Sequence, residues 1–272
     1  MCQRRFGASE RRACRVVGQA RSTQRRPAPV RPPAEARLRA RLRDLSRAHP
    51  RWGYRRVRIE LTKEGSAVNT KKVHRLWRDE ELQVRPRRRK RHRGSSTIDE
   101  VLASRPNEVW ALDFQFDATA DGRQLKLLHG VDEFTREALV MRVGRSCDAD
   151  QVVTSLEEVM ATRGAPCYLR CDNGPEFIAR ALADWCRFSG AGTVFIEPGS
   201  PWQNPYVESF NARVRDELLN MTEFYTLHEA AVLVTDFQTD YNWIRPHSSL
   251  GDLAPAVFAE RWKLDHQPAR LS

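Results

Sequence analysis

The sequence predicts a mixed α/β domain built on a five-stranded sheet, preceded by an all-α and strongly basic region. Three observations predict it. The net charge of +11 is split: residues 1–98 hold 30 Lys/Arg against 8 Asp/Glu, whereas residues 99–272 hold 16 against 27. Within the basic part, apolar residues recur at helical spacing. From Asn107 onward the pattern alternates and then mixes with helical segments, with strand candidates at 108–117, 124–132, 137–143, 166–171 and 192–197 and helix candidates at 148–163, 175–189 and 205–222. A basic arm joined to an acidic body points to a polyanion-binding module attached to a module with another task.

In the basic arm, Ser9 is a helix cap for a short segment carrying Ala13, Val16 and Val17, Gly18 breaks it, and Ser22 opens a second, giving a helix-turn-helix-like outline over 1–26. Pro27, Pro29, Pro32 and Pro33 form a linker. A helix over 34–48 places Leu38, Leu42 and Leu45 on one face, with arginines around the rest. A second helix over 54–63 buries Val57 and Leu61, and Gly65 turns the chain. A third over 70–80 turns Val73, Leu76 and Trp77 inward and Lys71, Lys72, Arg75 and Arg78 outward. Residues 34–84 so read as a three-helix unit whose last helix enters the major groove, with Arg55, Lys71, Lys72 and Arg75 as candidate DNA contacts. An arginine-rich bundle without a partner has the same spacing. Residues 85–106 are a basic linker in which Arg88, Arg89 and Lys90 track phosphate or solvate a tether.

In the acidic body, the first strand sets Trp110, Leu112, Phe114 and Phe116 on one face, so Asp113 points to the other. An aspartate in so apolar a strand is costly unless paired or metal-bound; a place at a sheet edge is the plain alternative. Asp172 follows a short apolar strand and precedes Asn173-Gly174, also an ordinary turn composition. Glu208 lies in the first turn of a helix that starts near Pro205, with 35 residues between it and Asp172. Three carboxylates converging at the end of a sheet are what two divalent ions need for in-line attack on a phosphodiester. Arg215, seven residues beyond Glu208, lies about 20° from it around a helix and suits a phosphate. The loop over 199–205 offers Trp202, Gln203 and Asn204 to a DNA end by stacking and hydrogen bonding, or anchors itself by Trp202; Asn211 joins these candidates.

Six cysteines form no Cys-x-x-Cys pair and seven histidines no closely spaced pair, so no zinc site is expected. The first residues carry arginines and no apolar h-region, and no run approaches 18 apolar residues, so neither a signal peptide nor a membrane span is expected. The expected setting is cytoplasmic with free thiols, and no membrane.

The strings Asp172-Asn-Gly-Pro-Glu-Phe177 and Ser200-Pro-Trp-Gln-Asn-Pro-Tyr-Val-Glu-Ser-Phe-Asn211 carry a resemblance. The chain resembles, from about residue 6 to about residue 258, the OrfB-type transposases of bacterial insertion sequences of the third family, whose core is similar to retroviral integrase. The resemblance implies a ribonuclease H-like core over 107–222, a helical extension over 223–272, and a helical DNA-binding unit ahead of them. It implies catalytic Asp113, Asp172 and Glu208 holding Mg²⁺ or Mn²⁺, two ions in all, with Arg215 at a position where the family carries Lys or Arg. The family usually has serine where this chain has Cys171. The implied reaction cuts element ends and joins their 3′-hydroxyls to target DNA with no covalent protein–DNA intermediate. The implied partners are double-stranded DNA (terminal repeats and target), further copies of the chain, and an upstream OrfA-type protein, as frameshift fusion or partner. A catalytically inactive DNA-binding regulator or decayed copy is the rival reading and a plain ribonuclease a third; metal-dependent strand cleavage separates the first two.

Overall fold

A computed structural model describes residue 7 and residues 9–26, 32–84, 102–172, 174, 180–195 and 204–266. The basic arm opens with α1 (Glu10–Val16) and α2 (Arg21–Gln24). Ser9 caps α1 as expected, its side chain accepting from the Arg12 amide. The inward residue, however, is Cys14, whereas Val16 and Val17 are exposed, and α2 is capped from Ala20 rather than opened by Ser22. The link between the two helices is ionic: Glu10 accepts from Arg21 and Arg25.

Helices α3 (Pro33–Ala48), α4 (Tyr54–Lys63) and α5 (Thr70–Asp79) form a three-helix unit. Pro33 sits in the first turn of α3, where its missing N–H costs nothing. Leu42, Leu45, Trp52, Val57, Leu61, Val73, Leu76 and Trp77 close one apolar core, with Leu38 packed against it. The arginines of α3 are not all outward: Arg39 is buried and binds Glu35 of its own helix together with Asp79 and Glu80 at the end of α5. Asn69 caps α5, accepting from the Lys71 amide, and Lys71, Lys72, Arg75 and Arg78 are exposed on it.

The acidic body is a five-stranded sheet in the order β3-β2-β1-β4-β5, formed by β1 (Val109–Ala118), β2 (Gln124–Asp132), β3 (Ala138–Gly144), β4 (Tyr168–Cys171) and β5 (Gly192–Phe195). β1, β2 and β3 pair antiparallel; β4 and β5 add in parallel beside β1. The sheet is therefore mixed, as expected. Helices α6 (Ala149–Arg163) and α7 (Arg180–Ser189) cover one face, over Trp110, Leu112, Leu128, Val140 and Leu169. The other face, with Ala111, Leu125, Leu127, Val131 and Met141, packs under α8 (Pro205–Val214) and α9 (Leu227–Trp243). Gly130 lies mid-sheet between Leu112 and Val140; a Cβ there would stand 2.9 Å from the Leu112 side chain, so a larger residue does not fit without displacement.

The helix expected over 205–222 changes geometry. α8 ends at Val214 and a π-helical turn follows over Arg215–Leu219. Such widened turns re-aim side chains, and here the turn aims Asp216 and Glu217 at the three-helix unit. Arg51 binds Asp216 at 3.0 Å, Arg56 binds Glu217 at 3.3 Å, and Glu217 also takes Arg245 at 2.6 Å. Beyond α9 the chain closes with a short 3₁₀ turn (Ser248–Leu250) and α10 (Pro255–Asp265). The predicted helix start over 175–179 and strand end at 196–197 lie outside the described residues.

Candidate active site

The three carboxylates are set by strand register and one helix. β1 and β4 run parallel with Ala111 opposite Arg170; two residues further along each chain come Asp113 and Asp172. The alternation that buries Leu112 under α7 turns Asp113 to the α8 side. Arg170 is itself buried in an ion pair with buried Glu133 at 3.1 Å, which fixes β4 beside the end of β2. Asp172 is exposed, with an oxygen accepting from the Gly174 amide at 3.0 Å. α8 starts at Pro205, placing Glu208 in its first turn.

The fields of Asp172 and Glu208 both reach Asp113. Its carboxyl is pushed up from the ordinary 3.8 to about 6, chiefly by burial and then by these two negative neighbours, against the pull of hydrogen bonds from the Phe114 amide and Asn211. Among the described residues no three His, Cys, Asp or Glu side chains stand close enough to hold one metal ion.

Asn211, one turn along α8 from Glu208, spans β1 and β2. Its Nδ2 donates to Asp113 Oδ2 at 2.7 Å and its Oδ1 lies 2.6 Å from His129 Nδ1. His129 is cross-strand partner of Asp113 and fully buried. Burial and then the charge of Arg215 hold its pKa down to about 4, so at neutral pH it is an uncharged donor through Nδ1. Gln115 Nε2 donates to the Asn211 carbonyl at 3.1 Å. Arg215 binds the far end of the same strand, its guanidinium 2.9 Å from Asp117 and donating to the Phe116 carbonyl.

Two residues read as DNA contacts are turned inward. Asn204 is 4% exposed and donates to the Leu112 carbonyl at 3.2 Å, so its side chain serves the β1–α8 junction rather than a DNA surface. The amide of Asn211 is spent on Asp113 and His129, for the reasons above. In the three-helix unit Lys71 and Lys72 are exposed, Arg75 is exposed but paired with Glu35 at 3.3 Å, and exposed Arg55 lies beside Tyr54. Arg88, Arg89, Lys90, Trp202 and Gln203 lie outside the described residues. Sequence reasoning missed His129, Gln115 and Asp117. A signal for His129 was present: a tight turn over 119–123 sets position 113 opposite position 129.

The sheet order, the helices on its two faces and the helical unit ahead of it define an integrase-type, ribonuclease H-like core behind a helix-turn-helix-like region. Residues 103–201 and 189–255 each match a family described as integrase core domain, and residues 33–90 match an HTH-like domain family. The fold is that of a chain of the simian T-cell lymphotropic virus intasome, with a TM-score of 0.51 at 16% identity over 85% of this chain and 76% of that one. Over 94% of its length the chain is 44% identical to the insertion element IS476 uncharacterized 39.2 kDa protein of Xanthomonas euvesicatoria, covering 73% of it. It is 41% identical, over 93% of its length and 91% of the relative's, to the IS407 uncharacterized 31.7 kDa protein of Burkholderia multivorans. A transposase for insertion sequence element IS904 of Lactococcus lactis is 27% identical over 76% of this chain and 87% of its own. The chain belongs to the insertion-element transposases of the IS3/IS407 type, with an integrase core of the polynucleotidyl transferase class. Among the described residues no helix is long and apolar enough to cross a membrane.

Proposed function

We propose that this transposase cuts the ends of its element and joins the freed 3′-hydroxyls to target DNA, with Asp113, Asp172 and Glu208 as metal ligands. The observation that supports this most is the placement: Asp113 and Asp172 lie two residues beyond the paired Ala111 and Arg170 of parallel β1 and β4, and Glu208 lies one turn before Asn211, which binds Asp113 at 2.7 Å. Carboxylates gathered at one end of a sheet suit divalent cations. The donors are all oxygen, which fits Mg²⁺ or Mn²⁺ better than zinc. When bound, two such ions supply activation of the attacking water or 3′-hydroxyl and stabilisation of the leaving oxygen.

The rest is work of the chain's own residues. Asn211 holds Asp113 ionised and oriented, and neutral His129 holds Asn211. Arg215 stands on the Asp113 face of β1 as the candidate for a phosphate beside the scissile bond. Residues 34–84 are the DNA-binding unit, with Arg55, Lys71, Lys72 and Arg75 toward phosphate and bases. The short segment 1–26 precedes it, 85–106 is the basic linker, 107–222 the catalytic core and 223–272 its extension. In the segments not described, Arg88, Arg89 and Lys90 serve the linker and Trp202 and Gln203 the DNA end. The partners are the element's terminal repeats, target DNA, further copies of the chain and an OrfA-type protein, in the cytoplasm on the nucleoid.

Asp113→Asn, Asp172→Asn and Glu208→Gln each abolish Mg²⁺-dependent cleavage and joining while DNA binding stays nearly unchanged, and Ca²⁺ permits binding without efficient chemistry. Mg²⁺-dependent activity retained by any one variant removes that residue from the site.

A further inference from the structure

Where the three-helix unit meets the core, a cavity of about 470 Å³ is lined by five arginines: Arg55, Arg56 and Arg58 from α4, Arg213 from α8 and Arg245 after α9. The nearby carboxylates are few. Glu217 is shared by Arg56 and Arg245, and Asp252 is the one carboxylate among the described lining residues. Among the described residues no carboxylate pairs with Arg55, Arg58 or Arg213. Arg58 Nε is buried without a hydrogen-bond partner among the described residues. Among the described residues Arg213 donates to the backbone carbonyl and hydroxyl of Ser209 and to no carboxylate. Lining His247 sits 3.1 Å from the Arg245 guanidinium, held neutral first by burial and then by the arginine charges, so it adds no charge of its own.

The arginines strain against one another. Arg56 is pushed down to about 10, by burial and then by the charge of Arg245, and Arg213 is lowered for the same two reasons. Guanidinium groups remain protonated even so. A polar cavity with more buried positive charge than its own carboxylates can match is complementary to an anion, and the planar forks of arginine match phosphate oxygens.

The position of the cavity narrows the source of that anion. Thr70, the first residue of α5, lines it, and exposed Lys71 and Lys72 follow at once. Arg213 lies on α8, the helix that carries Glu208. We propose that this cavity holds a backbone phosphate of the DNA that runs from α5 to the catalytic face, with Arg58 and Arg213 as its principal donors. The proposal rests on the transposase reading and adds a phosphate clamp at the seam of the two units.

The test uses the full chain as wild type, Arg58→Gln, Arg213→Gln and Arg58→Lys. Duplex DNA affinity is measured across a salt series, and melting temperature is measured without DNA, in chloride and in inorganic phosphate at equal ionic strength. Each glutamine variant is expected to weaken DNA binding about tenfold, the scale of one charge-assisted contact. Each also flattens the log K against log salt slope by about 0.9, the share of one phosphate. Phosphate raises the melting temperature of wild type more than that of either glutamine variant. In chloride the glutamine variants melt no lower than wild type, because a repulsive charge is gone, and Arg58→Lys restores the slope. An unchanged slope and affinity in both glutamine variants overturns the proposal. A phosphate-dependent rise in melting temperature with an unchanged DNA slope assigns the cavity to free anions and overturns the DNA assignment. If wild type itself binds duplex DNA without salt dependence, the transposase reading fails, and that result is distinct from either of the others.

Discussion

Removing the charge of Asp113 stabilises the metal-free protein at neutral pH and ceases to do so in acid. The folded-state pKa is raised to about 6 from an ordinary 3.8, so the folded chain binds this proton more tightly than the unfolded chain. Stability therefore falls as pH rises through the window from about 4 to 6, and the whole cost is present above it. A difference of about two pH units corresponds to about 3 kcal/mol. Asparagine removes that cost but has one carboxamide oxygen where the carboxylate takes both the Phe114 amide and Asn211 Nδ2. The lost acceptor costs about 1 kcal/mol, leaving a net gain of about 2 kcal/mol, or about 4–8 °C in melting temperature for a chain of this size. The assay is urea and thermal unfolding of wild type and Asp113→Asn in EDTA, at pH 7.5 and at pH 4. The variant is more stable at pH 7.5, and its advantage is gone at pH 4. Adding Mg²⁺ or Mn²⁺ at pH 7.5 raises wild type alone and closes the gap. A variant no more stable than wild type in EDTA at pH 7.5 refutes the argument that Asp172 and Glu208 press on a buried Asp113.

Two further outcomes test the surroundings of that carboxyl. Asn211→Ala lowers stability by about 1–3 kcal/mol, because the buried His129 Nδ1–H loses its acceptor; it also moves the acid limb of the joining rate to higher pH, because Asp113 loses a donor that favours its charged form, and an unmoved limb denies Asn211 this positioning role. Arg215→Ala slows joining of a pre-cut end while changing stability by no more than about 1 kcal/mol, since its pair with Asp117 is partly exposed, and Arg215→Lys recovers part of the loss through its point charge; joining at the wild-type rate in the alanine variant leaves Arg215 only as a strap on the end of β1.

The strands, the helices on both faces and the orientation of Asp113 were legible in the sequence because each rests on a local period: two residues for β1, three to four for α3 to α6. The same reasoning lost resolution wherever a partner distant in sequence decides the outcome. Arg39 reads as one more surface arginine of α3 until α5 brings Asp79 and Glu80 to it. Asn204 and Asn211 read as polar residues beside a DNA-binding loop, and only the packing of α8 on β1 turns them to Leu112, Asp113 and His129. The short helix α1 carries Val16 and Val17 exposed and buries Cys14, while Glu10 ties it to α2 through Arg21 and Arg25. The π-helical turn at Arg215 has no period of its own in the sequence. It follows from Asp216 and Glu217 meeting Arg51, Arg56 and Arg245, which come from two other parts of the chain.

The alignment of α8 with β1 explains why a long cation stands at position 215. The two elements run side by side in the same sense: Asn204 meets the Leu112 carbonyl, Asn211 meets Asp113, and Arg215 meets Asp117. Their rises differ. From Asn211 to Arg215 a helix advances about 6 Å, whereas from Asp113 to Asp117 a strand advances about 13 Å. Between these two contacts the strand outruns the helix by about 7 Å, and the long stem of Arg215 reaches across to Asp117. A short amide meets Asp113 from Asn211, and a guanidinium on a long stem meets Asp117 from Arg215. Lysine is long enough to keep the bridge and alanine is not, which is why the two substitutions at this position separate loss of reach from loss of the fork.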